Sequence, residues 1–127
     1  MTAEILLVDD NAIQATTRRA ILERAGRSVA VASGATQALE LLDQEDLFHS
    51  VSLIITDHWM PGLNGPEFVA KVRERLPKIP VLVLSGLADA ESEYEGMDVV
   101  FRVKPFAPDM LISLTSAILD EPFSRSA

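Results

Sequence analysis

The chain has 127 residues, 48% of them hydrophobic, with no cysteine and a formal net charge of −8. A domain of this size buries about two thirds of its unfolded surface, so the composition describes a packed core and excludes a disordered segment. The charge repels phosphate backbones and anionic lipid, which argues against nucleic acid or a membrane as a direct partner, and the missing thiols exclude disulfides and cysteine metal sites.

The first four residues carry no basic region, and the apolar run after them breaks at Asp9, so they do not read as a signal peptide. No run approaches the roughly 20 apolar residues that span a bilayer, and the expected location is the cytoplasm. Ile5-Leu6-Leu7-Val8 predicts a first strand buried on both faces, ending in Asp9-Asp10. Asn11 and Gln14 then make a capping-box pattern ahead of a first helix. A weaker run over 28–32 predicts a second strand nearer an edge. Ala35, Ala38, Leu39 and Leu42 follow helical spacing in the next segment. Residues 51–56 predict a third strand that ends at Asp57. Pro66 suits the first turn of a third helix, with Phe68, Val69, Val72 and Leu76 facing inward. Residues 80–84 predict a fourth strand ending at Ser85-Gly86, and residues 89–96 have room only for a short fourth helix. Residues 99–103 predict a fifth strand ending at Lys104-Pro105. Pro108 opens a last helix marked by Leu111, Leu114 and Ile118.

Strands alternating with helices imply βαβ units, right-handed crossovers and one doubly wound, five-stranded parallel sheet, an α/β fold. A single domain is expected over 1–127, with its core over about 4–119 and a fraying polar tail over 120–127. In open α/β sheets ligands bind beyond the C-terminal ends of the strands. That edge gathers Asp9, Asp10, Asp57, Ser85 and Lys104.

Taken singly, each of these has a structural explanation. Asp suits turns and helix caps, Ser-Gly is a common turn, and a lone lysine is normally a solvated surface residue. Together they suggest chemistry. Two adjacent carboxylates before a helix already capped by Asn11 repel each other unless a cation offsets them. Asp57 follows Leu53-Ile54-Ile55-Thr56 and opens Asp57-His58-Trp59-Met60-Pro61-Gly62, the most specific local pattern in the chain. A carboxylate there can attack phosphorus and form an acyl phosphate. Lys104 is the only basic residue that the sequence places at the site. His58 reads as a loop residue and not as a base.

Asp9-Asp10, Asp-x-x-Met-Pro-Gly at Asp57, Ser85-Gly86 and Lys104-Pro105, in this order and each after a predicted strand, resemble the receiver domain of two-component response regulators. The resemblance runs from about Ile5 to about Leu119. It implies the flavodoxin-like strand order 2-1-3-4-5. It makes Asp57 the phosphoacceptor, charged from a phosphohistidine on a sensor histidine kinase or histidine phosphotransfer protein. Mg²⁺ is the implied cofactor, held by Asp10 directly, by Asp9 largely through water, by Asp57 and by the backbone carbonyl of Trp59. Lys104 and the Ser85 hydroxyl would contact the phosphoryl group, Ser85 moving toward it on activation while Phe101 packs inward. A cis peptide before Pro105 is also implied. Such a chain switches conformation to regulate a protein target and is no enzyme beyond its own phosphorylation and dephosphorylation.

Two features depart from the family pattern. The interval from Ser85 to Lys104 is about one helical turn short, and its acidic segment carries Asp89, Glu91, Glu93 and Glu95 where many receivers dimerise or meet targets. Trp59 and Leu87 stand where polar residues can position a hydrolytic water, and would instead shield the acyl phosphate. Three other readings compete. One is a receiver fold that works as an interaction module without phosphorylation. A phosphatase of the haloacid dehalogenase type needs a second acid two residues after the nucleophile, where Trp59 stands. A flavodoxin-like electron carrier needs a Ser/Thr/Gly-rich loop after the first strand, where this chain has Asp9-Asp10-Asn11.

Overall fold

The structure, a computed structural model, describes residues 2–120; the expected tail beyond Asp120 lies outside them. Strands β1 (Ile5–Val8), β2 (Val29–Ala32), β3 (Leu53–Asp57), β4 (Val81–Ser85) and β5 (Val100–Val103) form one parallel sheet in the order β2-β1-β3-β4-β5. The first predicted strand coincides with β1, and the others differ from the observed ones by one or two residues at one or both ends. The weak second run is indeed an edge strand. The order reverses between β1 and β3, where Val8 lies opposite Thr56. The two acidic strand ends therefore adjoin the switch point, where the sheet opens a crevice.

Strand side chains divide by parity, as a period of two requires. Leu6, Val8, Ile54, Val81 and Val83 face α2 (Ala35–Leu42), α3 (Glu45–Ser50) and α4 (Gly65–Arg75), meeting Ala38, Leu42, Leu47, Phe68 and Val72. Ile5, Leu7, Leu53, Ile55, Leu82 and Leu84 face the other way, toward Leu22 of α1 (Ala12–Arg24) and Leu111 of α5 (Pro108–Leu119). Each large apolar side chain buried this way contributes about 1.5–3 kcal/mol. The central strands are thereby fixed on both sides, and the residues at their tips are held with them.

Helix α4 starts with a complete capping box. Asn64 Oδ1 accepts from the Glu67 N–H at 3.0 Å, and the Asn64 N–H donates to Glu67 Oε1 at 3.3 Å. The box expected at α1 is only half made. Asn11 Oδ1 accepts from the Gln14 N–H at 3.0 Å, but Gln14 Oε1 accepts from Lys104 Nζ at 3.4 Å instead of returning to the cap. Helix α3 was not apparent in the sequence: six residues with one buried side chain, Leu47, show no period.

The shortened fourth helix is seven residues of 3-10 helix, Ala88–Tyr94. Only Ala90 and Tyr94 anchor it, and its acidic residues are exposed. Beyond it the chain turns through Gly96 and Asp98, both at positive φ. The Arg73 guanidinium from α4 holds that turn by donating to the carbonyls of Met97 and Asp98 at 2.9 and 2.8 Å, and also to those of Leu76 and Ile79. At the opposite edge of the sheet, Arg27 pairs with Glu4 at 3.1 Å and Asp120 at 2.8 Å. Among the described residues no helix is long and apolar enough to cross a membrane.

Candidate functional site

The strand ends bring together every side chain that the sequence placed there. Asp9 and Asp57 are buried, whereas Asp10 is exposed. Asp9 Oδ1 is fixed by the Asn11 N–H at 2.9 Å. Lys104 stands opposite because its backbone N–H bonds the Ser85 carbonyl at 2.7 Å, before a cis peptide to Pro105. Its Nζ lies 2.9 Å from Asp57 Oδ1. A cleft of about 470 Å³ opens over these groups, walled by Trp59, Leu87 and Lys104.

A second cation is present that the sequence reading missed. Arg18, on α1, places Nη1 3.1 Å from Asp9 Oδ2 and 3.1 Å from Asp57 Oδ1. Its side chain is only 11% exposed. Asp57 Oδ1 thus faces a guanidinium and an ammonium at once. The spacing Asn11, Gln14, Arg18 marks a polar face of α1 in the sequence, but not the carboxylates that this face meets.

Ligand oxygens of Asp9, Asp10 and Asp57 lie within 4.8 Å of one another. Three hard carboxylates converging at a solvent-facing cleft fit Mg²⁺, which takes oxygen ligands and keeps several waters. Soft-metal chemistry does not suit this donor set.

Ser85 Oγ is engaged within its own loop, accepting from the Leu87 N–H at 2.9 Å and donating to the Leu87 carbonyl at 3.1 Å. Phe101 is buried, with its ring 5.9 Å from that of Tyr94. Tyr94 OH lies 2.7 Å from His58 Nδ1, and His58 Nε2 is 3.6 Å from Glu93 Oε2. His58 is therefore a loop residue, as expected, but one tied to the 3-10 segment. Burial pushes the Tyr94 phenol up, so it stays a neutral hydroxyl. Trp59 and Leu87 line the cleft yet are 72% and 61% exposed, so they wall the site without covering it.

Burial pushes the Asp9 carboxyl up from 3.8 to about 7, and the neighbouring Asp57 carboxylate adds to this; the Asn11 N–H and Arg18 pull the other way without prevailing. A carboxyl raised on folding contributes stability that is present below its unfolded value and is lost as pH rises through its folded value. In metal-free protein, Asp9→Asn is therefore expected to melt higher than wild type near pH 8, by a few degrees, with the advantage fading toward pH 4. Melting curves in chelator across that range check this, and an advantage independent of pH would refute it.

Residues 5–116 match the family model of the response regulator receiver domain. The chain is 39% identical over 114 residues to the hydrogenase transcriptional regulatory protein HoxA of Cupriavidus necator, covering 87% of this chain and 23% of that protein. It is 36% identical over 121 residues to the two-component response regulator ORR11 of Oryza sativa, covering 91% of this chain and 80% of that protein. Against the crystal structure of the chemotaxis response regulator CheY4 of Vibrio cholerae the TM-score is 0.81 at 28% identity, covering 94% of this chain and all of that one. The chain spans less than a quarter of the first of these relatives and four fifths of the second. With the strand order, the acidic switch point and Lys104 agreeing with the match along the sequence, the chain belongs to the response regulator receiver domains of two-component systems.

Proposed function

We propose that this receiver domain accepts a phosphoryl group on Asp57 from a phosphohistidine of a histidine kinase or phosphotransfer protein, and that the acyl phosphate shifts its conformation to regulate a protein target. The observation that carries this reading is the buried Asp57 carboxylate at the tip of β3, with Lys104 Nζ 2.9 Å away and two further carboxylates beside it. An Asp57 carboxylate oxygen attacks phosphorus. The phosphorus–nitrogen bond of the donor breaks, and the departing ring nitrogen keeps the electron pair and takes up a proton.

Asp9, Asp10, Asp57 and the Trp59 carbonyl are the proposed holders of Mg²⁺, which when bound neutralises charge on the phosphoryl oxygens. Lys104 would meet one of those oxygens. Ser85 would exchange its Leu87 carbonyl for another, and the buried Phe101 would report that change through β5. The proposed activity ends with the domain's own phosphorylation and dephosphorylation, and single-domain organisation over 1–127 belongs to the same proposal.

Acetyl phosphate with Mg²⁺ tests it by intact mass. Wild type is expected to gain one phosphoryl increment and Asp57→Asn none. An increment that persists in Asp57→Asn moves the acceptor elsewhere. A wild type that never gains one, from acetyl phosphate or a phosphohistidine donor, leaves a receiver fold serving as an interaction module.

A further inference from the structure

The three carboxylates proposed to hold a divalent cation already have a tenant. Arg18 Nη1 bridges Asp9 Oδ2 and Asp57 Oδ1 at equal distance, in a setting where the Asp9 side chain is fully buried and the Asp57 side chain nearly so. Each of these acids can give only a few lone pairs to cations. One positive group already occupies oxygens from two of the three, with Lys104 sharing the Asp57 oxygen. The guanidinium also places a positive charge where a divalent ion would lie, in a poorly screened pocket.

A second feature gives Arg18 a place to go. A groove of about 730 Å³ lies beside the acidic cleft between α1 and the turn into α5. Arg18, Gln14 and Lys104 line it together with Thr17 and Phe106. A guanidinium released from the carboxylates therefore reaches solvent and polar neighbours by rotating its own side chain.

We infer that Arg18 is a built-in competitor of the divalent cation: it bridges Asp9 and Asp57 in the metal-free domain and withdraws toward the α1–α5 groove when the ion binds. The inference rests on reading Asp9, Asp10 and Asp57 as the metal site. Charge counting shows what the arrangement accomplishes. With all three carboxyls ionised, the form that a divalent ion binds, Arg18 and Lys104 leave a net of −1, instead of the −2 that Lys104 alone would leave. The acids are held together without an ion, and the ion then binds more weakly than to an unopposed triad. Arg18 acts here as a positioning residue, through the carboxylates.

Calorimetric titration of Mg²⁺ into wild type, Arg18→Met and Arg18→Lys tests the inference without any phosphorylation. Arg18→Met is expected to bind Mg²⁺ at least tenfold more tightly, and Arg18→Lys, which keeps the charge, to stay nearer wild type. Equal or weaker binding by Arg18→Met overturns the inference and leaves the metal site standing. No binding by any of the three proteins overturns the metal site and the inference with it. Because removing a cation from buried acids can prevent folding, the wild-type guanidinium signals are to be followed by nitrogen-15 NMR as well. The Arg18 signal is expected to shift in step with Mg²⁺ saturation, and one that stays fixed at saturation overturns the withdrawal.

Discussion

Replacing Lys104 with methionine is expected to slow formation of the acyl phosphate on Asp57 on the order of 10²-fold, the scale for removing one preorganised charge donor from a reacting oxyanion. Lys104 Nζ lies 2.9 Å from Asp57 Oδ1, and its stem is fixed by the backbone bond from Lys104 to Ser85. Methionine keeps the length and apolar body of that stem, so the loss is of charge and not of packing. A divalent cation at the neighbouring carboxylates would still neutralise phosphoryl charge, which keeps the effect near the lower end of the usual range. Phosphorylation rates from acetyl phosphate, read by intact mass over time, check the value. A variant phosphorylated at the wild-type rate would take Lys104 out of the chemistry.

Gly65→Ala is expected to cost about 3 kcal/mol of folding stability, from overpacking together with a lost buried hydrogen bond. Gly65 opens α4 against the loop after β3, and its N–H donates to the His58 carbonyl at 2.9 Å. A methyl group there would collide with Tyr94 OH and lie 2.9 Å from the His58 carbonyl oxygen. Tyr94 is buried with its ring packed on His58 and Phe101, so moving its hydroxyl disturbs both contacts. Its bond to His58 would break, or the start of α4 would shift away from the sheet. Urea denaturation of the two proteins gives the difference directly, and a loss below about 0.5 kcal/mol would show that Tyr94 relaxes freely.

Three of the strands were legible as nearly continuous runs of Ile, Leu and Val cut off by a polar residue, while β2 (Val-Ala-Val-Ala) and β5 (Val-Phe-Arg-Val) are weaker runs that end in the same way. The polar residue at the cut belongs to the candidate site in four of them: Asp9, Asp57, Ser85 and Lys104. Local pattern and function coincide there, since the same backbone edge ends the strand and opens the crevice. Arg18 was not legible for the opposite reason. It lies mid-helix on a long flexible stem, and where such a stem ends depends on which carboxylates α1 happens to pack over. The bond between His58 and Tyr94 joins residues 36 positions apart and has no local signature either. The short interval before Lys104 correctly signalled a reduced fourth helix, because length constrains an element even where periodicity says nothing.

The Arg27 clasp bears on how such a domain communicates with anything joined to it. Glu4, just before β1, and Asp120, just after α5, are drawn to one guanidinium. Both ends of the described chain are thereby moored at the same rim of the sheet. The carboxylates of the candidate site lie at the other rim, separated by the four residues of β1, about 13 Å at some 3.3 Å per residue. Glu4 and Asp120 thus lie on the far side of the molecule from the proposed phosphoryl chemistry. A message sent along the chain would have to cross the whole width of the sheet, whereas a visitor arriving at the exposed rim would meet the altered side chains at first hand.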